Sequence, residues 1–114
     1  MAAAEALDMR PPLDWIAGQV FALLSEYYTA ELPASVRDVI TARWIKELRD
    51  FPAWAIEDAC DWWVSRNNRE RKRKPVSGDI GARCQEITAP LRAAKTQIER
   101  YERYGDNPPS VLRA

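Results

Sequence analysis

Trp44-Ile45-Lys46-Glu47-Leu48-Arg49-Asp50-Phe51-Pro52 decides the fold, together with the residues C-terminal to it: Ala55 to Trp63, the basic run Arg66 to Lys74, Pro75, and Ser77-Gly78-Asp79-Ile80. Apolar residues recur there every third or fourth place, the period of an amphipathic helix, and the pattern halts at Phe51-Pro52. Proline suits the first turn of a helix, where its missing amide would bond to nothing, and it drives Phe51 out of helical angles. One helix therefore ends near Arg49, the next starts within three residues, and the two fold back on each other. On the second, Ile56, Ala59, Cys60 and Trp63 form the inward stripe, flanked by Ala55 and Trp62. Small residues among bulky ones let a neighbouring backbone come close. The run Arg66 to Lys74 has no apolar side chain and its like charges repel, which predicts a frayed helix end and an exposed loop.

Outward from this centre, Arg10-Pro11-Pro12 marks residues 1–12 as a flexible tail. A first helix is expected from about Leu13, with Ile16, Val20, Leu23, Leu24 and Tyr27 on one stripe and Trp15, Phe21 and Tyr28 widening it. After a connector over Thr29 to Pro33, Ser35 is placed to cap the next helix, with Asp38 at the capping-box position and Val36, Val39, Ile40, Trp44 and Leu48 on one face. Beyond the basic run, Ser77 is placed to cap a last helix, and Asp79 falls in its favourable first turn. Its stripe, Ile80, Cys84, Ile87, Leu91, Ala94, Ile98 and Tyr101, steps by four and three as a heptad does. Pro90 predicts a kink, or a break into two helices, between Ile87 and Leu91; because the stripe keeps its phase, a kink is preferred. Gly105 offers a C-terminal cap, and residues 105–114 read as a second flexible tail. The expected architecture is an all-α bundle of four helices, five if Pro90 breaks the last, in one domain over residues 13–104.

A chain of 114 residues buries about two thirds of its unfolded surface, enough for a core without metal or disulfide staples. Its 17 cations balance 17 carboxylates, so attraction to nucleic acid or to an acidic membrane has to be local. Histidine is absent, which removes the commonest general base, pH switch and metal ligand. The start lacks a signal-peptide pattern and no stretch has the roughly 18 apolar residues of a membrane span, so a cytoplasmic protein without membrane contact is expected. Cys60 and Cys84 lie on apolar stripes, as buried reduced thiols do. No glycine loop cradles phosphate and no cofactor site is visible. Glu57, Asp58 and Asp61 could gather a hard cation but read as a solvated helix face. No catalytic residue, cofactor or metal is assigned, and the chain reads as a non-enzyme.

The candidate contact residues are the cations Arg66, Arg69, Arg71, Lys72, Arg73 and Lys74. They could meet a phosphate backbone, with Asn67 and Asn68 adding neutral hydrogen bonds, or an acidic protein, or simply end a helix in solvent. Of the five tryptophans, Trp44 and Trp63 sit on inward stripes as core. Trp54 and Trp62 lie off the best stripe and are assigned to partner contact. The 80–101 stripe is either core or the seam of a homodimer.

The order of residues, Trp44-x-x-x-Leu48-x-x-Phe51-Pro52, Ala55 and Ala59 before an aromatic pair, a polar stretch, then Pro75 and Asp79-Ile80, resembles the phage replicative helicase loader/inhibitor family over about residues 13–88. The resemblance implies a phage or prophage adaptor or inhibitor with no chemistry of its own, acting in the host cytoplasm by gripping a helicase or a replication-origin protein. Members tend to use a flexible C-terminal segment for that grip; here the apolar stripe runs on to Tyr101. Two other functions stay open: an inhibitor of a host defence complex of the anti-CRISPR type, and a nucleic-acid-binding regulator that uses residues 66–74.

Overall fold

The computed structural model describes residues 10–27 and 32–104. Among them are four helices and no strand: α1, Leu13–Leu24; α2, Ala34–Leu48; α3, Ala53–Val64; and α4, Ser77–Tyr104. α3 packs on α4 and on α1, while α2 packs on α1 and on α4, so the four close into one bundle. Ile16, Val20, Leu23, Leu24, Trp44, Leu48, Ala55, Ile56, Ala59, Cys60, Trp63, Ile80 and Cys84 are buried as a single core. Fully burying an aliphatic side chain contributes about 1.5–3 kcal/mol, so this cluster supplies most of what holds the helices together. Ala55 and Ala59, both fully buried, let α4 lie close enough for the Cys84 thiol to reach the Ala55 carbonyl at 3.6 Å. Gly81 does the same for α2, because a Cβ there would run into the Glu47 side chain.

Prolines rather than hydroxyls begin three of the helices: Pro12 at α1, Pro33 at α2 and Pro52 at α3. Pro33 holds the N-cap position of α2 and its carbonyl accepts from the Val36 and Arg37 amides, so Ser35, expected as the cap, is an exposed residue of the first turn, and Asp38 forms no box with it. Pro52 sits one place ahead of α3, fully buried, instead of inside its first turn. At α4, where Ser77 is the expected cap, the Asp79 carboxylate reaches back from the first turn and accepts the amide of Val76, just ahead of the helix, at 2.8 Å. At α2 a residue with φ already near −65°, and at α4 one with a full charge, stands in for the expected neutral hydroxyl.

Two stripes are only half covered. On α2, Trp44 and Leu48 are buried and Ile40 is partly so, but Val36 and Val39 are 42% and 55% exposed, against the expectation of one inward face. α4 is a single helix of 28 residues that continues through Pro90. Pro90 gives the Glu86 carbonyl no amide, and the adjacent turn is tied by side chains instead. The Thr88 hydroxyl donates to the Cys84 carbonyl, and Arg92 donates to Thr88 Oγ1 and to the Gln85 carbonyl. Past this point Ala94, Ile98 and Tyr101 are exposed on the line that Ile80 and Cys84 begin. The expected positions of Tyr28, of most of the Thr29 to Pro33 connector and of Gly105 lie outside the described residues.

Candidate binding surface

The loop from α3 to α4 is built, not frayed. Asn68 is 3% exposed, its amide donates to the Trp63 carbonyl at 2.7 Å, and its Oδ1 accepts the Glu70 amide. It therefore closes the C-terminal end of α3 from inside and is not available as the external hydrogen-bond donor the sequence suggested. The Trp63 indole, itself core, donates to the Arg73 carbonyl, and the Tyr27 hydroxyl just past α1 donates to the Arg71 carbonyl. Pro75 is fully buried. Four anchors thus hold the backbone of residues 66–75 against the bundle while the charged side chains stand outside.

Those side chains divide into two sets. Arg73 serves the fold: it bridges Asp79 at 3.1 Å and Glu70 at 3.4 Å and lies over the Trp63 ring at 5.1 Å. Its hydrogen bond to Asp79 raises its already high pKa, and the reverse effect acts on the carboxylate. Burial pushes the Asp79 carboxyl up, but the Arg73 guanidinium and the Val76 amide outweigh it and leave the group below its ordinary value. Arg66, Arg69, Arg71, Lys72 and Lys74 are exposed. Arg71 folds back to the Asn68 carbonyl at 3.3 Å, so part of its donor set is used at home. Cations just beyond α3 also complement the negative end of its dipole.

The tryptophans assigned to a partner are not free platforms. Trp62 is half-buried, meets Trp63 edge to face at 6.3 Å, and carries the Arg83 guanidinium 4.5 Å above its ring. Trp54 is half-buried and packs against the core. Trp44 and Trp63 are buried as expected, 4% and 3% exposed.

A groove of about 230 Å³ runs beside the loop, between α2 and the start of α4. Leu24, Ile40 and Trp44 form its floor, and Arg43, Lys74 and Val76 its rim. Val76 is 57% exposed, and among the described residues Arg43 has no hydrogen bond or ion pair. Neither residue stands out in the sequence. The available signal was Val36, Val39, Ile40 and Arg43 at i, i+3, i+4 and i+7, an apolar line ending in a cation. A larger groove of about 630 Å³ under the second half of α4 mixes Arg92 and Lys95 with Glu47, Asp50 and Glu99, so its charges offset one another.

Both cysteines are buried and unbridged. Burial pushes each thiol up to about 12, reinforced at Cys60 by Asp61 and at Cys84 by Cys60, so both are protonated at neutral pH and poor nucleophiles. Glu57, Asp58 and Asp61 are exposed on the outer face of α3, and no group of three or more metal-ligating side chains comes together among the described residues. Nor is any helix among them long and apolar enough to cross a membrane. Comparison with protein-family models, with curated proteins and with solved structures finds no match to this chain.

Proposed function

We propose that this chain is a non-enzymatic adaptor or inhibitor that works by occupying a surface of a larger protein machine, with a replicative helicase as the first target and a host defence complex as the second. The observation that carries this reading is the pairing of a rigid basic loop with half-exposed apolar side chains at its edge. Arg66, Arg69 and Lys72 stand out from a backbone pinned by Asn68, Trp63 and Tyr27, and Val76 lies beside them. A preformed loop loses little conformational entropy on association. Desolvating valines favours a protein partner, whereas a phosphate backbone would reward the cations alone. The resemblance to the phage loader/inhibitor family supplies the choice of helicase.

The test is a pull-down from nuclease-treated host lysate with the partner identified by mass spectrometry, followed by reconstitution with the purified helicase. The expected result is a retained hexameric ATPase whose activity changes on addition of this protein. Loss of every partner on nuclease treatment would instead favour the nucleic-acid regulator, whose support is the same set of outward cations. In that case affinity for duplex DNA would fall with a log-log salt slope of about −3.6 for about four neutralised phosphates.

A further inference from the structure

We infer that the groove between α2 and the start of α4 is the seat for an amphipathic, acidic segment of a partner protein: apolar residues three or four apart, flanked by Asp or Glu. The inference rests on the adaptor reading above and specifies its contact. Val36, Val39, Ile40 and Arg43 follow one another along a single line of α2, because steps of three, four and seven return to the same side of a helix. Ile40 and Arg43 line the groove, so Val36 and Val39 extend it along the helix as a continuous apolar track, 42% and 55% exposed. Val76 closes the opposite side at 57% exposure, above a floor of Leu24 and Trp44. Among the described residues neither α1 nor α4 covers this track.

Charge selects the occupant. Among the described residues no carboxylate lines this groove, in contrast to the wider one under the far half of α4, where both signs are present. Arg43 stands at its rim without an ion pair or hydrogen bond among the described residues. The carboxylates close to it in sequence are turned elsewhere: Glu47, one turn on, lies against Gly81 and lines the wider groove, and Asp38 lies about 140° around α2 from Arg43 at 3.6 residues per turn. Asp79, at the start of α4, is held by Arg73 and the Val76 amide. A guanidinium beside an apolar trough binds a carboxylate bidentately while the trough takes the adjacent aliphatic groups, which is how grooves read helical anchors at i and i+3 or i+4. A basic segment would be repelled, and a phosphate backbone would leave the three valines uncovered.

The experiment selects peptides from a random phage-displayed library on the whole chain, then measures the best binder by fluorescence anisotropy against variants. The expected winners carry paired Leu, Ile, Phe or Trp at spacing three or four with neighbouring Asp or Glu. Arg43→Glu and Val39→Asp should each weaken that peptide about tenfold or more, while Arg100→Gln, exposed on the far half of α4, changes it less than about twofold; Arg69→Gln with Lys72→Gln measures the share of the loop. Val39 and Arg43 are exposed, and an unchanged urea midpoint will verify that the variants fold. Winners that are basic or lack apolar anchors overturn the inference. So does a binder insensitive to Arg43→Glu and Val39→Asp. A binder lost only in the loop variant places the contact on residues 66–74 and leaves the adaptor reading intact. No winner at all refutes this seat, and the helicase reconstitution then decides the adaptor reading separately. Displacement of the peptide by a single-stranded oligonucleotide that itself needs Arg43 would make nucleic acid the occupant and overturn both.

Discussion

The two halves of α4 lie on one heptad line and meet opposite fates. Ile80 and Cys84 are fully buried against α3 and α2, whereas Ile98 and Tyr101, the same phase further along, are 48% and 57% exposed. The changeover falls around Pro90, where Thr88 and Arg92 tie the turn with side chains. Periodicity fixes which side of a helix is apolar. Whether anything covers that side depends on the reach of the partner helices, and α2 and α3 are 15 and 12 residues long against the 28 of α4. At 1.5 Å per residue α4 runs about 42 Å, roughly twice the length of either neighbour.

The sharpest break of this comparison is a matched truncation. Ile80→Ala should lower unfolding stability by about 2–5 kcal/mol, because a fully buried isoleucine leaves a cavity. Ile98→Ala should change it by less than about 0.5 kcal/mol in urea denaturation monitored by tryptophan fluorescence. If Ile98→Ala were as damaging, and its effect grew with protein concentration, the outer half of α4 would be the seam of a homodimer and the contrast would disappear.

The same distinction sets how much of the molecule was legible in its residues. Helix number, the break at Phe51-Pro52, and the inward stripes of α1 and α3 follow from spacing and from proline geometry, which are local. The exposure of Val36 and Val39 does not, since it depends on where α1 stops. Asn68 is not legible in the sequence, because an asparagine in a charged run looks like any other solvent-facing amide; only the position of the Trp63 carbonyl reveals that it turns inward. Arg73 looks like the five similar cations around it, yet Asp79, six residues on, and the Trp63 ring single it out. The groove beside Arg43 joins α1, α2 and α4, and no linear pattern spans three elements.

Asn68 gives the next largest effect. Asn68→Ala removes the donor to a buried carbonyl and the acceptor for the Glu70 amide, and should cost about 2 kcal/mol. Hydrogen exchange should then accelerate at Glu70, Arg71 and Arg73, whose amides bond within this loop. Unchanged protection there would mean that Tyr27 and Trp63 alone hold the loop.

The thiols probe the covered half of the α4 line in solution. Cys84 is held up to about 12 against an ordinary 9.0. Between those values the unfolded chain has lost its proton and the folded one has kept it. Stability is thus fully present below about pH 9 and falls as pH rises, by at most about 1.4 kcal/mol per pH unit for this group. Cys84→Ala should flatten that alkaline fall relative to the parent chain. Equal slopes would show that Cys84 is more accessible to water than its burial indicates.

Asp79 provides the smallest and most specific comparison, between a loop cation that serves the fold and those that face outward. Asp79→Ala removes both the acceptor for the Val76 amide and the partner of Arg73, and should cost about 1 kcal/mol. Asp79→Asn keeps an oxygen at the amide but no charge, so it should cost only a few tenths of a kcal/mol. Because the folded carboxyl sits below its ordinary 3.8, the unfolded chain takes up the proton first on acidification. The carboxylate's contribution is therefore present above about pH 4 and lost as pH falls through the folded value. The parent chain and Asp79→Asn should converge in thermal stability as pH falls through that folded value, while Asp79→Ala remains lower because it lacks the acceptor altogether. Removing an outward cation, as in Arg69→Gln, should leave this acid limb unchanged. If it altered the limb as much as Asp79→Asn does, the division of the loop into structural and displayed charges would fail.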